Sequence, residues 1–167
     1  MKKLPIITAI ILSFVLTGCY SFNPAKSSTS LAKMKTFSIG VITDQAGGPS
    51  FLSNKVTDKL RNYFLQNTRL KMVTENADLN ITGKIVFYNT STNAVSTTNT
   101  SENNRLTLRI VLDCENVIEP SESFQNSSFE NFEVYNANQN LVSVEQDLTT
   151  KILDNITIEV FNKVFSW

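Results

Sequence analysis

The chain has 167 residues, 41% of them hydrophobic and only 18% charged, with 15 basic residues balancing 15 acidic ones. A neutral balance gives no electrostatic case for nucleic acid, which is excluded as a partner. Histidine is absent, which removes Ser-His-Asp triads, His-based zinc sites and imidazole acid–base chemistry, and the chain is read as non-enzymatic.

In chain order, the first segment is a processing signal rather than part of the fold. Lys2 and Lys3 precede an apolar run from Leu4 to Leu16. That run is too short to span a bilayer, which needs about 20 residues. Leu16-Thr17-Gly18-Cys19 follows, small residues for a peptidase cleft and then a thiol for acylation. These four residues resemble the lipobox of bacterial lipoproteins. The resemblance implies cleavage before Cys19 and covalent attachment of a diacylglycerol and an acyl chain there, with no other cofactor. Several acyl chains hold firmly, since each buried CH₂ adds about 0.8 kcal/mol. No acidic run follows Cys19, so no surface-export signal is read and the lipid-anchored domain is expected on the periplasmic side. The expected division is a signal peptide over 1–18, a lipidated tether over 19–35 and a single domain over 36–167. Removing 1–18 takes away two lysines, leaving 149 residues with 13 basic against 15 acidic, a net charge of −2.

Residues 20–35, with Ser27-Ser28-Thr29-Ser30 in their middle, form a tether with a reach of roughly 20 Å if flexible. Thr36 to Ile42 reads as a strand with Phe37, Ile39 and Val41 on one face. Gly47-Gly48-Pro49-Ser50 breaks the chain, and Ser50 is the expected cap of a helix. Its stripe is Leu52, Val56, Leu60, Tyr63 and Phe64, and it should stop near Asn67. Arg69 to Val73 is a short strand. Leu79, Ile81, Ile85 and Phe87 alternate in the next, where Gly83 keeps the phase without bulk. Residues 89–104 read as a long Asn/Ser/Thr loop. Leu106, Leu108, Ile110, Leu112 and Cys114 give the cleanest alternation in the chain. Phe124 to Tyr135 is a further strand whose phase changes between Phe124 and Phe129, as a bulge would cause. Last, Ser143 with Gln146 reads as a capping box, followed by the stripe Val144, Leu148, Ile152, Ile156, Val160 and Val164.

Strand, helix, strand, consecutive strands and a final helix predict an α+β fold, a two-layer α/β sandwich. Its sheet should be mixed and mostly antiparallel, with four to five strands and two helices packed on one face. The first strand–helix–strand unit should be a parallel crossover, and the other sheet face should stay uncovered. Cys114 falls on an apolar phase and reads as a small buried hydrophobe. No metal site is expected: Asp44-Gln45-Ala46-Gly47-Gly48 lacks the acidic ligands of a calcium loop.

Lipobox and element order together resemble the LPS-assembly lipoprotein (LptE) family in its Bacteroidetes form. The resemblance is carried by Cys19-Tyr20-Ser21-Phe22, Thr68-Arg69-Leu70, Asp78-Leu79 with Gly83, and Asn104-Arg105-Leu106-Thr107. It continues through Phe124 to Phe132, Ser143-Val144-Glu145 and Phe161-Asn162 to Trp167. Segment 44–50 is shorter than the family's usual stretch. The resemblance implies a non-catalytic partner of the LptD-type outer-membrane β-barrel, the LPS translocon, seated in its lumen as plug and assembly factor. A lipoprotein scaffold of another envelope machine, for barrel assembly or lipid trafficking, would carry the same lipobox and domain. For lipopolysaccharide itself the candidate contacts are Lys84, Tyr88, Arg105 and Arg109, which with Thr107 should share the open face beside the 89–104 loop. Arginine binds phosphates in bidentate fashion.

Overall fold

The computed structural model describes residues 32–93 and 103–165. The signal segment, Cys19, the tether up to residue 31 and the stretch 94–102 lie outside the described residues.

Strand β1, Thr36–Ile39, buries Phe37 and Ile39 as the alternation requires. The phase then breaks. Ile39 pairs with Ile81, but Thr43 pairs with Lys84, so one extra residue is accommodated between them. As a result Ile42 is fully buried and Val41 is 60% exposed, the reverse of the expected strand through Ile42. Helix α1, Leu52–Asn67, holds this kink from behind. The Ile42 N–H donates to Thr57 Oγ1 (3.0 Å), and the Ile42 carbonyl accepts from Ser53 Oγ (2.6 Å). Strand β2, Thr43–Asp44, then resumes pairing.

The α1 stripe Leu52, Val56, Leu60 and Phe64 is buried as expected, with Tyr63 half-buried at its margin. Ser50 does not cap this helix. Phe51 occupies the cap position without a side-chain hydrogen bond, and the Leu52 N–H donates instead to the Pro49 carbonyl (2.9 Å).

Strands β3 (Lys71–Met72), β4 (Leu79–Asn93), β5 (Asn103–Asn116) and β6 (Phe124–Asn136) complete a six-stranded mixed sheet. Its order is β3-β1-β4-β5-β6, with β2 also on β4. β1 is parallel to both β3 and β4, so the first strand–helix–strand unit is the parallel crossover expected; β4, β5 and β6 are antiparallel. Of the polar stretch read as a 16-residue loop, 89–93 and 103–104 are strand, since pairing persists to Asn93↔Asn103, and the rest lies outside the described residues. Asn is depleted in strands while β-branched Thr is favoured there, and cross-strand partners set strand stability more than intrinsic preference does.

Helix α2, Leu141–Phe165, is the longest element. Its start is stabilised by Asn140 rather than by a Ser143/Gln146 box. Asn140 Oδ1 accepts the Val142 N–H (3.0 Å), and the Ser143 hydroxyl donates to the Asn140 carbonyl (2.6 Å). Leu148, Ile152, Leu153, Ile156, Val160 and Val164 are buried, with Val144 and Phe161 packed at the edge of the core.

Both helices cover the same sheet face. Phe64 joins them to it, with ring centroids 5.8 Å from Phe37 on β1 and 5.4 and 5.6 Å from Phe161 and Phe165 on α2. Lys55 on α1 donates to the Gln146 carbonyl on α2 (2.8 Å), and Lys59 pairs with Asp154. Each fully buried Leu, Ile or Phe contributes about 1.5–3 kcal/mol, and the core holds more than a dozen. No described element covers the opposite sheet face.

Candidate functional site

The uncovered face is built by β4, β5 and β6, and one residue decides its composition. Ile85 pairs with Ile110 but Phe87 pairs with Arg109, so Val86 is an extra residue in β4. Beyond it every side chain changes face. Phe87 therefore leaves the helix side and stands 38% exposed on the open face. Tyr88 turns inward, which corrects its place among the open-face contacts. Its hydroxyl lies 3.0 Å from Glu145 Oε1 and 3.1 Å from Thr149 Oγ1, both on α2. Burial pushes this phenol above its ordinary range, with the Glu145 carboxylate adding to the shift against the lowering hydrogen bond from Thr149. Tyr88 is a buttress between sheet and helix.

The other expected residues are on the open face. Lys84 lies opposite Val111, Arg109 between Phe87 and Glu130, Thr107 opposite Phe132, and Arg105 opposite Val134. They do not form one cationic cluster at the hairpin end. Nine residues separate Lys84 from the last pair, Asn93↔Asn103, about 30 Å of strand. Arg105 is near that end. Arg109 is engaged by Glu130, with Nε and Nη2 both 2.5 Å from the carboxylate.

Aromatic and aliphatic side chains fill the spaces between these charges. The Arg105 guanidinium lies over the Phe132 ring at 4.0 Å, and that of Arg109 lies 5.5 Å from the Phe87 ring centre. Phe132 is 44% and Val134 40% exposed. The face is thus an arginine–phenylalanine surface with Glu130 at its centre, and aromatic residues and arginine are the types enriched where proteins meet.

Phe87 was read with the core-facing alternation of β4, and Phe132, Val134 and Glu130 were not assigned to the open face. The four consecutive apolar residues Ile85-Val86-Phe87-Tyr88 carry no alternation from which to find the inserted one. For Phe132 and Val134 the signal was present, since they fall out of phase with Phe129 and Tyr135.

Nothing in this arrangement assembles a nucleophile with a base. Cys114 is buried and unpaired, and burial pushes its thiol up to about 12, so it packs as a small hydrophobe. Among the described residues no group of carboxylates or thiols is placed to hold a metal ion, and no helix is long and apolar enough to cross a membrane.

Several solved structures are similar to this chain. A minor lipoprotein from Acinetobacter baumannii is 11% identical over 79% of this chain and 93% of its own, with a TM-score of 0.49. Lipoprotein B from Nitrosomonas europaea is 12% identical over 76% and 79%, with a TM-score of 0.48. Rare lipoprotein B from Shewanella oneidensis is 11% identical over 78% and 91%, with a TM-score of 0.46. Comparison with the curated proteins gives no match. The family model described as LptE, lipopolysaccharide-assembly, matches residues 34–164, from the first core residue, Met34, to the last, Val164. The chain belongs to the LptE lipopolysaccharide-assembly family.

Proposed function

We propose that the chain is a non-catalytic outer-membrane lipoprotein, held on the periplasmic side by acylated Cys19, that partners the LptD-type β-barrel in assembling and operating the LPS export path. The family match over 34–164 carries this reading. The open face supports it: a sheet with both helices on one side leaves Phe87, Phe132 and Val134 to be covered by another protein.

Lipopolysaccharide is the proposed cargo at this face. Its phosphates would be met by Lys84, Arg105 and Arg109, with a phosphate taking the place of Glu130 at Arg109. Replacing Lys84, Arg105 and Arg109 with Ser should weaken LPS binding at low salt and leave little difference at high salt. Equal binding by parent and variant would remove the face from the cargo path.

The partner is tested by solubilising the outer membrane in detergent and purifying the tagged full-length chain. The LPS-translocon barrel should come with it in stoichiometric amount. Recovery of a barrel-assembly or lipid-trafficking complex instead would overturn the reading.

A further inference from the structure

Charge is unevenly distributed along this nearly neutral chain. Residues 20–43 contain no acidic residue and neither do residues 59–74, whereas residues 110–136 contain six acidic residues and no basic one. The sheet order places these stretches at opposite edges, β1 and β3 at one and β6 at the other. The parallel pairing Thr36↔Lys71, with the Lys71 N–H donating to the Lys35 carbonyl (2.9 Å), brings the two acid-free stretches together. Lys33, Lys35, Arg69 and Lys71 are therefore neighbours, all exposed, and none is in an ion pair among the described residues. Glu75 follows β3, and at the same edge the Asp78 carboxylate accepts the Lys35 and Thr36 N–H groups (2.7 and 3.0 Å).

This cationic edge is also where the chain arrives from Cys19. Ala32, Met34, Asn67 and Arg69 line an open depression of about 660 Å³ between the incoming chain and the end of α1. On the same edge Met72 of β3 is 47% exposed although it belongs to the sheet, and it lines a second depression with Val41 and Arg61. Exposed cations around a depression that mixes Ala32, Met34 and Leu70 with polar Gln66, Asn67 and Thr68 suit the phosphate layer of a lipid surface.

We propose that this edge, Lys33, Lys35, Arg69 and Lys71 with Met72, lies against the anionic phospholipid surface of the leaflet that holds the anchor. The inference rests on acylation of Cys19 as read above. It gives the lipid anchor an orienting partner. The chain's own charge separation turns the β1–β3 edge to the membrane and the acidic β6 edge away from it, so the open face stands across the membrane surface, available to a barrel wall. Each basic residue near an anionic surface strengthens attachment about fivefold.

The test uses the full-length lipoprotein in nanodiscs of phosphatidylcholine alone, or of phosphatidylcholine with phosphatidylglycerol. Amide exchange is read by mass spectrometry for the peptides covering residues 32–36 and 68–73. Slowing of at least about fivefold in the anionic discs is expected, reversed by high salt and by K33S/K35S/R69S/K71S and restored by K33R/K35R/K71R. Equal exchange in both discs overturns the proposal, as does slowing that salt or the serine variant leaves intact. Slowing that occurs only when the barrel is added assigns the edge to protein and overturns it too. The mass of the Cys19 peptide from the same sample tests the anchor separately. If Cys19 carries no lipid, the anchor reading fails, and flotation of the protein with vesicles of the same two compositions decides this one: flotation with the anionic vesicles alone sustains it, and no flotation ends it.

Discussion

Gly83 stands on the core-facing phase of β4, where a side chain would be expected, and Leu112 of β5 fills the space instead. A Cβ at Gly83 would lie 2.4 Å from Leu112 Cδ2 and 2.4 Å from the Val111 carbonyl oxygen. The backbone atom cannot yield cheaply, so Gly83→Ala should destabilise the domain by about 1–3 kcal/mol, measured by denaturant titration. An unchanged midpoint would mean that β4 and β5 separate more easily than their pairing implies. Asp78 offers a second test, at the point where the incoming chain meets β4. The Lys35 N–H and then the Thr36 N–H hold its carboxyl below the ordinary carboxylate range, against a smaller opposing effect of burial. A carboxylate depressed on folding stabilises above its unfolded value, about 3.9, and loses that contribution as pH falls through the folded one. The melting-temperature gap between the parent and Asp78→Ala should therefore be full at neutral pH and narrow as pH drops below about 4. A gap independent of pH would show that the hydrogen bonds do not depend on the charge. Neither role could be read from the residue alone. Gly83 was visible as a gap in the alternation, but what filled the gap depends on a strand 29 positions away.

Among the elements, those with long unbroken patterns were legible. β5 alternates from Leu106 to Cys114 with every even position buried, and α2, 25 residues long, keeps its stripe from Val144 to Val164. Leu108→Ala and Ile110→Ala should each cost about 2–5 kcal/mol in unfolding free energy. Thr107→Ala, on the open face, should cost under about 0.5 kcal/mol. Equal losses on both phases would mean that the isolated protein already covers both faces. The bulges divide into one that could be read and two that could not. In β6 the apolar phase visibly changes between Phe124 and Phe129. There Asn126 adopts a left-handed backbone (φ 51°), and its N–H donates to Asp113 Oδ1 (2.7 Å). In β1 and β4 the inserted residue sits within an apolar run, where a one-residue slip leaves no trace in composition but reverses the faces of Val41, Phe87 and Tyr88. The helix starts escaped for another reason. Ser50 and Ser143 have the chemistry of caps, but Pro49 and Asn140 were also within reach, and local geometry chose between them.

At the scale of the molecule, the two-layer architecture followed from element order, whereas the chemistry of the open face needed the register. The tether joins the fold at one edge, and Met34 is its first buried residue. Cys19→Ser should accordingly leave the melting temperature unchanged while releasing the protein from the membrane fraction. Retention of the variant in the outer membrane would mean that barrel contacts alone hold it. The proposed contact is between the arginine–phenylalanine face and the export barrel. The most direct measurement is photocrosslinking in cells, with a photoreactive residue in place of Phe132 and, as control, in place of Val142, which is exposed at the start of α2. A covalent adduct with the LPS-translocon barrel is expected from position 132 and little from position 142. Adducts from position 142 with none from position 132 would contradict it, placing the helices rather than the open sheet against the partner.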